Sequence, residues 1–349
     1  MTLALSVLDL VPVRTDQTTA EAVAASVELA RTADELGYRR YWVAEHHNMP
    51  AVAATNPPVL ISLLAARTER IRVGSGGVML PNHAPLVVAE QFALLEAAFP
   101  GRIDLGIGRA PGTDQVTSWA LRHGAGGVTD EAVERFPEYV DNVLAMMEPA
   151  GVGLSLRDRT HSLRATPTAA SLPDIWLLGS SDYSARLAAA KGMPYVFAHH
   201  FSGRGTAEAL ALYRDSFQPS STLAEPRTFL TVNASVAETA EEAERLALPQ
   251  AIQMSELRTG RPLGPQRLVE EAEKVAEAGL DPAQAHLVDG MRERWVIGDA
   301  VTARAEIESL ASTYGVDEVM VNPIGAAYAG TDPRAVPARI ETLRLLAEA

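Results

Sequence analysis

The sequence DLGIGRAPG, at residues 104–112, combines the pattern of a buried strand with a turn opened by glycine. The apolar run at 103–107 predicts a β-strand that leads directly to Arg109. Because Gly106 and Gly108 have no Cβ atom, a ligand or a neighbouring backbone can approach closely there. Arg109 brings a permanent positive charge and a planar fork of donors, which suits a phosphate or a carboxylate. The competing interpretation is a surface salt bridge between Arg109 and an acidic neighbour.

The glycine spacing of this stretch also resembles the dinucleotide-binding fingerprint GxGxxG. However, the third glycine falls at Gly112, one residue too late, and no helix-like apolar pattern follows at once. We therefore reject a Rossmann fold, and we expect no NAD(P)H fingerprint in this chain.

The composition is that of an acidic, cysteine-free globular protein. The chain has 349 residues, of which 47% are hydrophobic, and a formal net charge of −14. This acidic balance argues against nucleic acid or an anionic membrane surface as a partner. The lack of cysteine excludes disulfides, thiolate catalysis and cysteine-ligated metals. Since we find no signal-peptide pattern and no apolar run of membrane-spanning length, we expect a cytoplasmic protein.

Strand and helix patterns alternate along the chain, which is typical of a parallel sheet with helical crossovers. Eight strands are predicted, at 3–9, 40–44, 71–80, 103–107, 175–178, 195–198, 227–236 and 318–321. Helices are predicted at 20–36, 57–67, 85–99, 130–147, 183–191, 204–217, 240–254, 265–278 and 333–347. The count of eight strands favours a TIM-like (β/α)8 barrel over an open doubly wound sheet.

Three segments interrupt this alternation. Residues 111–129 are predicted to form a glycine-rich loop, and residues 150–165 a polar connection. Residues 255–295 form an insertion before the eighth strand that is punctuated by proline and glycine. We expect residues 1–349 to form a single barrel domain, with this insertion as a lid over one end.

In barrels of this type the reactive groups lie at the C-terminal ends of the strands. Here those ends carry EHH at 45–47, GG at 76–77, Arg109, GSS at 179–181 and HH at 199–200. Gly179, Ser180, Ser181 and Ser184 predict an anion site, since a glycine turn places hydroxyl groups beside a helix N-terminus. Plain N-capping would explain one hydroxyl but not three. Together with Arg109, this pattern favours a phosphate.

The two His-His pairs also suggest a metal-dependent hydrolase. Successive residues of a strand point to opposite faces, so adjacent histidines cannot easily share one ion. The candidate carboxylates nearby are Glu45 and Asp182, a small ligand set for a two-metal centre. We therefore expect no metal, and a packing role stays open for His47, His199 and His200.

Several motifs that are weak singly occur in a specific order. They are WVAEHH at 42–47, NPP at 56–58, VGSGGVMLPNHAP at 73–85, AEQFALLE at 89–96, GRIDLGIGR at 101–109, WLLGSSDYSARLAA at 176–189 and GMPY at 192–195. In this order, and over nearly the full length, they resemble the bacterial luciferase-like flavin-dependent monooxygenase family.

The resemblance implies a TIM-like barrel that binds reduced FMN. With O2 it would oxygenate a small organic substrate through a C4a-peroxyflavin. His46 matches the active-site histidine beside the flavin, and the pair at 76–77 matches a dipeptide that is joined by a cis bond beneath the flavin ring. The cofactor-binding positions implied are Gly76, Gly77, Arg109, Gly179, Ser180, Ser181 and Ser184.

The chain departs from luciferase itself at Gly108, where luciferase has cysteine, and at Ser180, where it has glutamate. Light emission is therefore not implied. His199 lies where luciferase has a tryptophan near the ring, so we expect a different substrate side. In the insertion, Arg292 and Arg294 are candidate anion contacts.

We expect the protein to form a homodimer. Because the chain lacks an NAD(P)H fingerprint, we also expect reduced flavin to come from a separate flavin reductase. The substrate is not identified by these motifs. Two alternatives stay open. One is an F420-dependent enzyme that transfers hydride without oxygen, and the other is a flavin-binding protein that is not a catalyst.

Overall fold

A computed structural model describes residues 3–110, 112–123 and 131–349, and it confirms the predicted TIM-like barrel. The strands are β1 Ala4–Asp9, β2 Arg40–Val43, β3 Arg72–Met79, β4 Ile103–Gly108, β5 Val152–Leu156, β6 Arg159–Leu163, β7 Asp174–Gly179, β8 Tyr195–Phe197, β9 Thr228–Val236, β10 Val296–Gly298 and β11 Glu318–Pro323. Eight of these, namely β1 to β4, β7 to β9 and β11, pair in parallel. The pairing of β8 with β9 closes them into a barrel, and β10 adds to β9 outside it.

The helices surround this barrel, and their ends follow from local sequence signals. They are α1 Thr19–Glu35, α2 Pro57–Ala65, α3 Pro85–Ala98, α4 Gln115–His123, α5 Glu131–Glu134, α6 Phe136–Met147, α7 Asp182–Lys191, α8 His199–Ser202, α9 Thr206–Asp215, α10 Ala240–Arg258, α11 Val269–Ala278, α12 Pro282–Arg292, α13 Ala300–Tyr314 and α14 Pro337–Glu348. For example, Thr18 and Glu21 form a capping box that starts α1, one residue before the predicted start of the helix at residue 20. In the described part of the chain, no helix has the length and apolar character to cross a membrane.

The N-terminal end of the barrel is closed by a buried ion-pair network. The guanidinium of Arg40 lies 2.7 Å from an Asp104 carboxylate oxygen and 2.6 Å from a Glu318 oxygen. It also lies 5.0 Å from the centre of the Trp176 ring. Since these charged residues stand at the beginnings of their strands, the opposite, C-terminal end is left to form a cavity.

Two segments expected to lack regular structure are folded. Residues 115–123 of the predicted loop form α4, because Asp114 accepts hydrogen bonds from the N–H groups of Val116 and Thr117 and so caps the helix. Residues 111 and 124–129 of that loop lie outside the described residues. The predicted polar connection contains the antiparallel hairpin of β5 and β6, which turns at Arg157 with φ +56°. The predicted helix at 130–147 is divided into α5 and α6.

The insertion at 255–295 contains α11 and α12, one helix more than predicted. Asp281 caps α12 by accepting a hydrogen bond from the Gln284 N–H. Residues 296–317, for which no helix or strand was predicted, contain β10 and α13.

Candidate functional site

A cavity of about 690 Å³ lies at the C-terminal ends of the barrel strands, a volume typical of small-molecule sites. Its walls are largely apolar, with side chains such as Leu8, Met79, Leu178 and Met320 from four different strands. All the predicted site residues line this one cavity: His46, Gly76, Gly77, Arg109, Gly179, Ser180, Ser181 and Ser184. The structure therefore brings them together at one site.

The wall at β3 is made of backbone because side chains do not fit there. The peptide bond between Gly76 and Gly77 is cis, as the resemblance implied. A Cβ atom on Gly77 would lie 2.6 Å from Leu178 Cδ1 and 2.8 Å from the Gly106 carbonyl oxygen. A Cβ atom on Gly76 would lie 2.9 Å from Leu8 Cδ1. Glycine at both positions thus leaves a smooth surface for a flat ligand.

Arg109 faces the cavity without an acidic partner. Its guanidinium carbon lies 4.0 Å from the centre of the Tyr183 ring, at the start of α7. Within residues 3–110, 112–123 and 131–349, no carboxylate lies within 4.0 Å of Arg109, so the salt-bridge interpretation is wrong for the described chain. Tyr183 was not predicted as a site residue. Its stacking holds the Arg109 charge beside the N-terminus of α7.

The serine hydroxyls at the start of α7 are also available to a ligand. Ser181 occupies the N-cap position, yet its side chain makes no capping hydrogen bond, so N-capping does not explain it. Ser184 is buried, and its hydroxyl occupies the space that a Cβ atom of Gly179 would need. Hydroxyl donors, helix N–H groups and the Arg109 charge therefore converge on one corner of the cavity, which fits a phosphate.

Glu45 belongs to a clamp behind this cavity. One carboxylate oxygen lies 2.8 Å from His47 Nε2 and 2.7 Å from His83 Nε2, and the other accepts the Met79 N–H at 2.9 Å. Burial would raise the pKa of the Glu45 carboxyl, but these hydrogen bonds lower it to about 2. Within the EHH motif, the hydrogen-bond partner of Glu45 is thus His47 rather than His46.

The same three side chains bring ligand atoms within 4.8 Å of one another, so Glu45, His47 and His83 could hold a metal ion. An ion placed there would have to replace both imidazole hydrogen bonds to the carboxylate. The expected lack of a metal stays a prediction for this group.

His46 turns the other way, into the cavity. Its backbone N–H donates to the Ala54 carbonyl at 2.8 Å, while its ring Nδ1 is buried and has no hydrogen-bond partner in the described chain. Burial lowers the pKa of the His46 imidazole below its usual value, so the ring is neutral at neutral pH. A neutral imidazole with an unused nitrogen can exchange a proton with a bound molecule.

His200 is a second imidazole in the cavity wall. Its Nδ1 lies 2.9 Å from Thr231 Oγ1, and that hydroxyl donates to the Phe197 carbonyl at 3.2 Å. Since the hydroxyl proton is already used, His200 Nδ1 must donate to Thr231, which leaves Nε2 as a bare acceptor. Burial is the main cause that lowers the pKa of His200 to about 4.

His199, by contrast, lines a small neighbouring pocket rather than the main cavity, and its Nδ1 lies 2.8 Å from Thr206 Oγ1. The histidine on the main cavity is therefore His200 rather than His199. The HH pair was visible in the sequence. Which ring faces inward depends on β8 ending at Phe197, and the sequence pattern did not show that boundary.

The insertion supplies the outer wall of the cavity. Leu257, Arg258, Leu263, Met291 and Trp295 all line it. Of the two arginines predicted as anion contacts, Arg292 is paired with Glu244 at 2.6 Å, so that prediction is wrong. Among the described residues, Arg294 has no such carboxylate partner.

The fold and the cavity define a TIM-like barrel with a small-molecule cavity at the C-terminal ends of its strands. Residues 3–318 match the model of the luciferase-like monooxygenase family, and the chain belongs to this family. It is thus an oxidoreductase of the monooxygenase type, as the resemblance implied.

Two relatives cover most of the chain. A luciferase-like monooxygenase from Escherichia coli (strain K12) is 39% identical over 92% of this chain and 91% of its own length. The N-acetyl-S-alkylcysteine monooxygenase of Bacillus subtilis (strain 168) is 33% identical over 91% of both chains.

Solved structures show the same fold. The crystal structure of apo-MsnO8 superposes with a TM-score of 0.83 at 35% identity, over 99% of this chain and 98% of the other. Two more distant neighbours contain cofactors. A type II Baeyer-Villiger monooxygenase in complex with FMN has a TM-score of 0.71 at 18% identity, over 100% of this chain and 98% of the other. An F420-dependent secondary alcohol dehydrogenase with an F420-acetone adduct has a TM-score of 0.68 at 14% identity, over 99% and 98%.

Proposed function

We propose that this protein is an FMN-dependent monooxygenase that receives reduced flavin from a separate reductase and oxygenates a small organic substrate. The observation that carries the proposal is the corner of the cavity where Arg109, which has no acidic partner in the described part of the chain, meets Ser180, Ser181 and Ser184 at a helix N-terminus. Such a set of donors favours a dianionic phosphate.

Each part of the cavity then has a role toward the flavin. Arg109 and the serines would hold its phosphate, and the glycine wall at 76–77 would let the flat ring lie close to the backbone. When bound, reduced FMN supplies two electrons and the C4a position at which O2 adds. His46 would hold or move a proton through its buried Nδ1, and the apolar walls would exclude water.

A separate reductase is supported by the sequence around Gly112, which lacks the spacing of an NAD(P)H fingerprint. The second candidate function is F420-dependent hydride transfer, because a neighbour of the same fold binds F420. FMN is preferred because relatives at 33–39% identity are named monooxygenases. A flavin-binding protein without catalysis is the third possibility, and turnover with a reductase and O2 would exclude it.

Replacement of Arg109 by alanine tests the phosphate assignment. We expect Arg109→Ala to weaken FMN binding by about 2–4 kcal/mol, through loss of a charge-assisted contact, and riboflavin binding far less. Calorimetric titration with both flavins measures this difference. Arg186→Ala is the control, since Arg186 is exposed and pairs with Asp182 on the same helix.

Two results would contradict the proposal. Equal weakening of FMN and riboflavin would make Arg109 a structural residue. Tight binding of F420 without binding of reduced FMN would select the second candidate function.

A further inference from the structure

Three arginines from separate segments surround the corner formed by Phe201 and Gly203. Arg258, at the end of α10, donates a hydrogen bond from Nη2 to the Phe201 carbonyl, and its guanidinium lies 5.6 Å from the Phe201 ring. Arg294 follows α12, and its Cδ lies 3.4 Å from the position that a Cβ atom of Gly203 would occupy. Arg204 directly follows that glycine. We call this group the arginine corner.

The charges of the arginine corner are not balanced by the protein. Among the residues that the structure describes, no carboxylate lies within 4.0 Å of any of the three guanidinium groups. Burial lowers the pKa of Arg258, and the charges of Arg294 and Arg204 lower it further. In a chain with a net charge of −14, three adjacent cations without an acidic neighbour are unexpected. Other arginines of the insertion do have such partners: Arg261 with Asp281, Arg267 with Glu256, and Arg292 with Glu244.

One member of the arginine corner, Arg258, reaches the main cavity, and Arg294 lines the small pocket beside His199. Arg258 is part of the cavity wall, beside the apolar side chains of Leu257, Leu263 and Trp295. A ligand that meets both surfaces must carry an apolar body and an anionic end. This position differs from the Arg109 corner, which is built on the ends of β4 and β7, whereas the arginine corner is built on the insertion and the segment after β8.

We propose that the arginine corner binds the carboxylate or sulfonate of an organic-acid substrate whose apolar body packs against the adjacent wall. This inference rests on the proposed function, because the cavity must hold the flavin phosphate at Arg109 and the substrate anion at Arg258 together. A carboxylate and a sulfonate would be recognised in the same way, as anions that accept hydrogen bonds from guanidinium groups. The anion belongs to the substrate rather than to the cofactor.

Direct binding tests the inference without turnover. Octanoate and octanol have the same chain length and differ in charge, so calorimetric titration of the full chain with each isolates the contribution of the anion. We expect octanoate to bind wild type at least ~10-fold more tightly than octanol, since charge-assisted contacts are the stronger ones. Arg294→Gln and Arg258→Gln should each reduce this preference, and the double variant should abolish it. Octanol affinity should not change.

Arg292→Gln is the matched control, because Arg292 belongs to the same insertion but is paired with Glu244. It should retain the octanoate preference. Arg294 is exposed, so its variant is not expected to disturb folding. Equal affinity for octanoate and octanol in wild type, no saturable octanoate binding, or an equal loss in Arg292→Gln would each overturn the inference.

Titration of the same variants with FMN and riboflavin shows whether the arginine corner binds an anion of the substrate or the phosphate of the cofactor. If the double variant weakens FMN relative to riboflavin as Arg109→Ala does, the arginine corner serves the cofactor and the inference is wrong, while FMN binding stands. If Arg109→Ala leaves FMN affinity unchanged while the double variant loses the octanoate preference, the proposed function fails and the anion site stands.

Discussion

At the scale of single residues, the two histidines of the motif EHH point to opposite sides of one loop. Only one of His46 and His47 was expected to face a ligand, and the structure places His46 on the cavity and His47 on Glu45, although both residues lie beyond β2, which ends at Val43. The partner of Glu45 could not be predicted, because His83 reaches it from another loop. The local sequence can indicate that two adjacent side chains face apart, but it does not show which distant side chain each of them contacts.

Replacement of His46 tests whether its imidazole acts in the reaction rather than in FMN binding. His46→Ala removes a neutral imidazole without touching the Arg109 corner, so FMN affinity should stay close to wild type. Product formation should fall ~10²–10⁴-fold, the usual contribution of a general acid or base. Reduced flavin should then be consumed with release of hydrogen peroxide. The measurement is product and peroxide yield with a flavin reductase, O2 and an accepted substrate.

His47→Ala is its control. This variant should retain turnover and instead lower the free energy of unfolding by roughly 1–3 kcal/mol, because the buried Glu45 loses one of its donors. The assignment would be reversed if His47→Ala abolished product formation while His46→Ala did not.

At the scale of helices and strands, the predictions succeeded where local signals and burial agree. Helices such as α1 and α3 have apolar faces on the barrel and end near glycine, and their bounds were predicted within a few residues. The hairpin of β5 and β6 was missed because β6 is almost entirely exposed and shows no apolar alternation. The helix α4 was missed although Asp114 provides its cap, because proline and glycine on both sides indicated a loop.

β3 and β4 approach each other closely at the site because particular positions are glycine. A Cβ atom on Gly106 would collide with the Ser75 carbonyl oxygen, which is rigid backbone, whereas one on Gly108 would meet Met79 Sδ at 3.1 Å. We therefore expect Gly106→Ala to lower the free energy of unfolding by about 3 kcal/mol, as overpacking does. Gly108→Ala should cost less than about 1 kcal/mol, because a methionine side chain adapts.

Urea unfolding of the two glycine variants measures both values on the same strand. Similar small losses in both would show that β3 and β4 are farther apart than the structure places them.

At the scale of the whole molecule, the two ends of the barrel differ in what they contain. The C-terminal end holds the cavity, and the N-terminal end holds the ion pairs of Arg40 with Asp104 and Glu318. The sequence was sufficient to count the eight strands. It did not reveal this network, since Asp104 and Glu318 are ordinary charged residues that lie 64 and 278 positions from Arg40 and meet it only when the barrel closes.

Arg40 is therefore where the stability of the closed barrel can be tested without disturbing the site. Arg40→Met leaves Asp104 and Glu318 buried without their common cation, which should cost about 3–5 kcal/mol in the free energy of unfolding. Arg39→Met is the control. Arg39 also pairs with Glu318, but 45% of its side chain is exposed, so its loss should cost less than about 1 kcal/mol. Urea unfolding gives both values, and FMN affinity of the folded variants should equal that of wild type. A neutral or stabilising Arg40→Met would show that Arg72 and Arg39, which still pair with Asp104 and Glu318, are sufficient to stabilise these carboxylates.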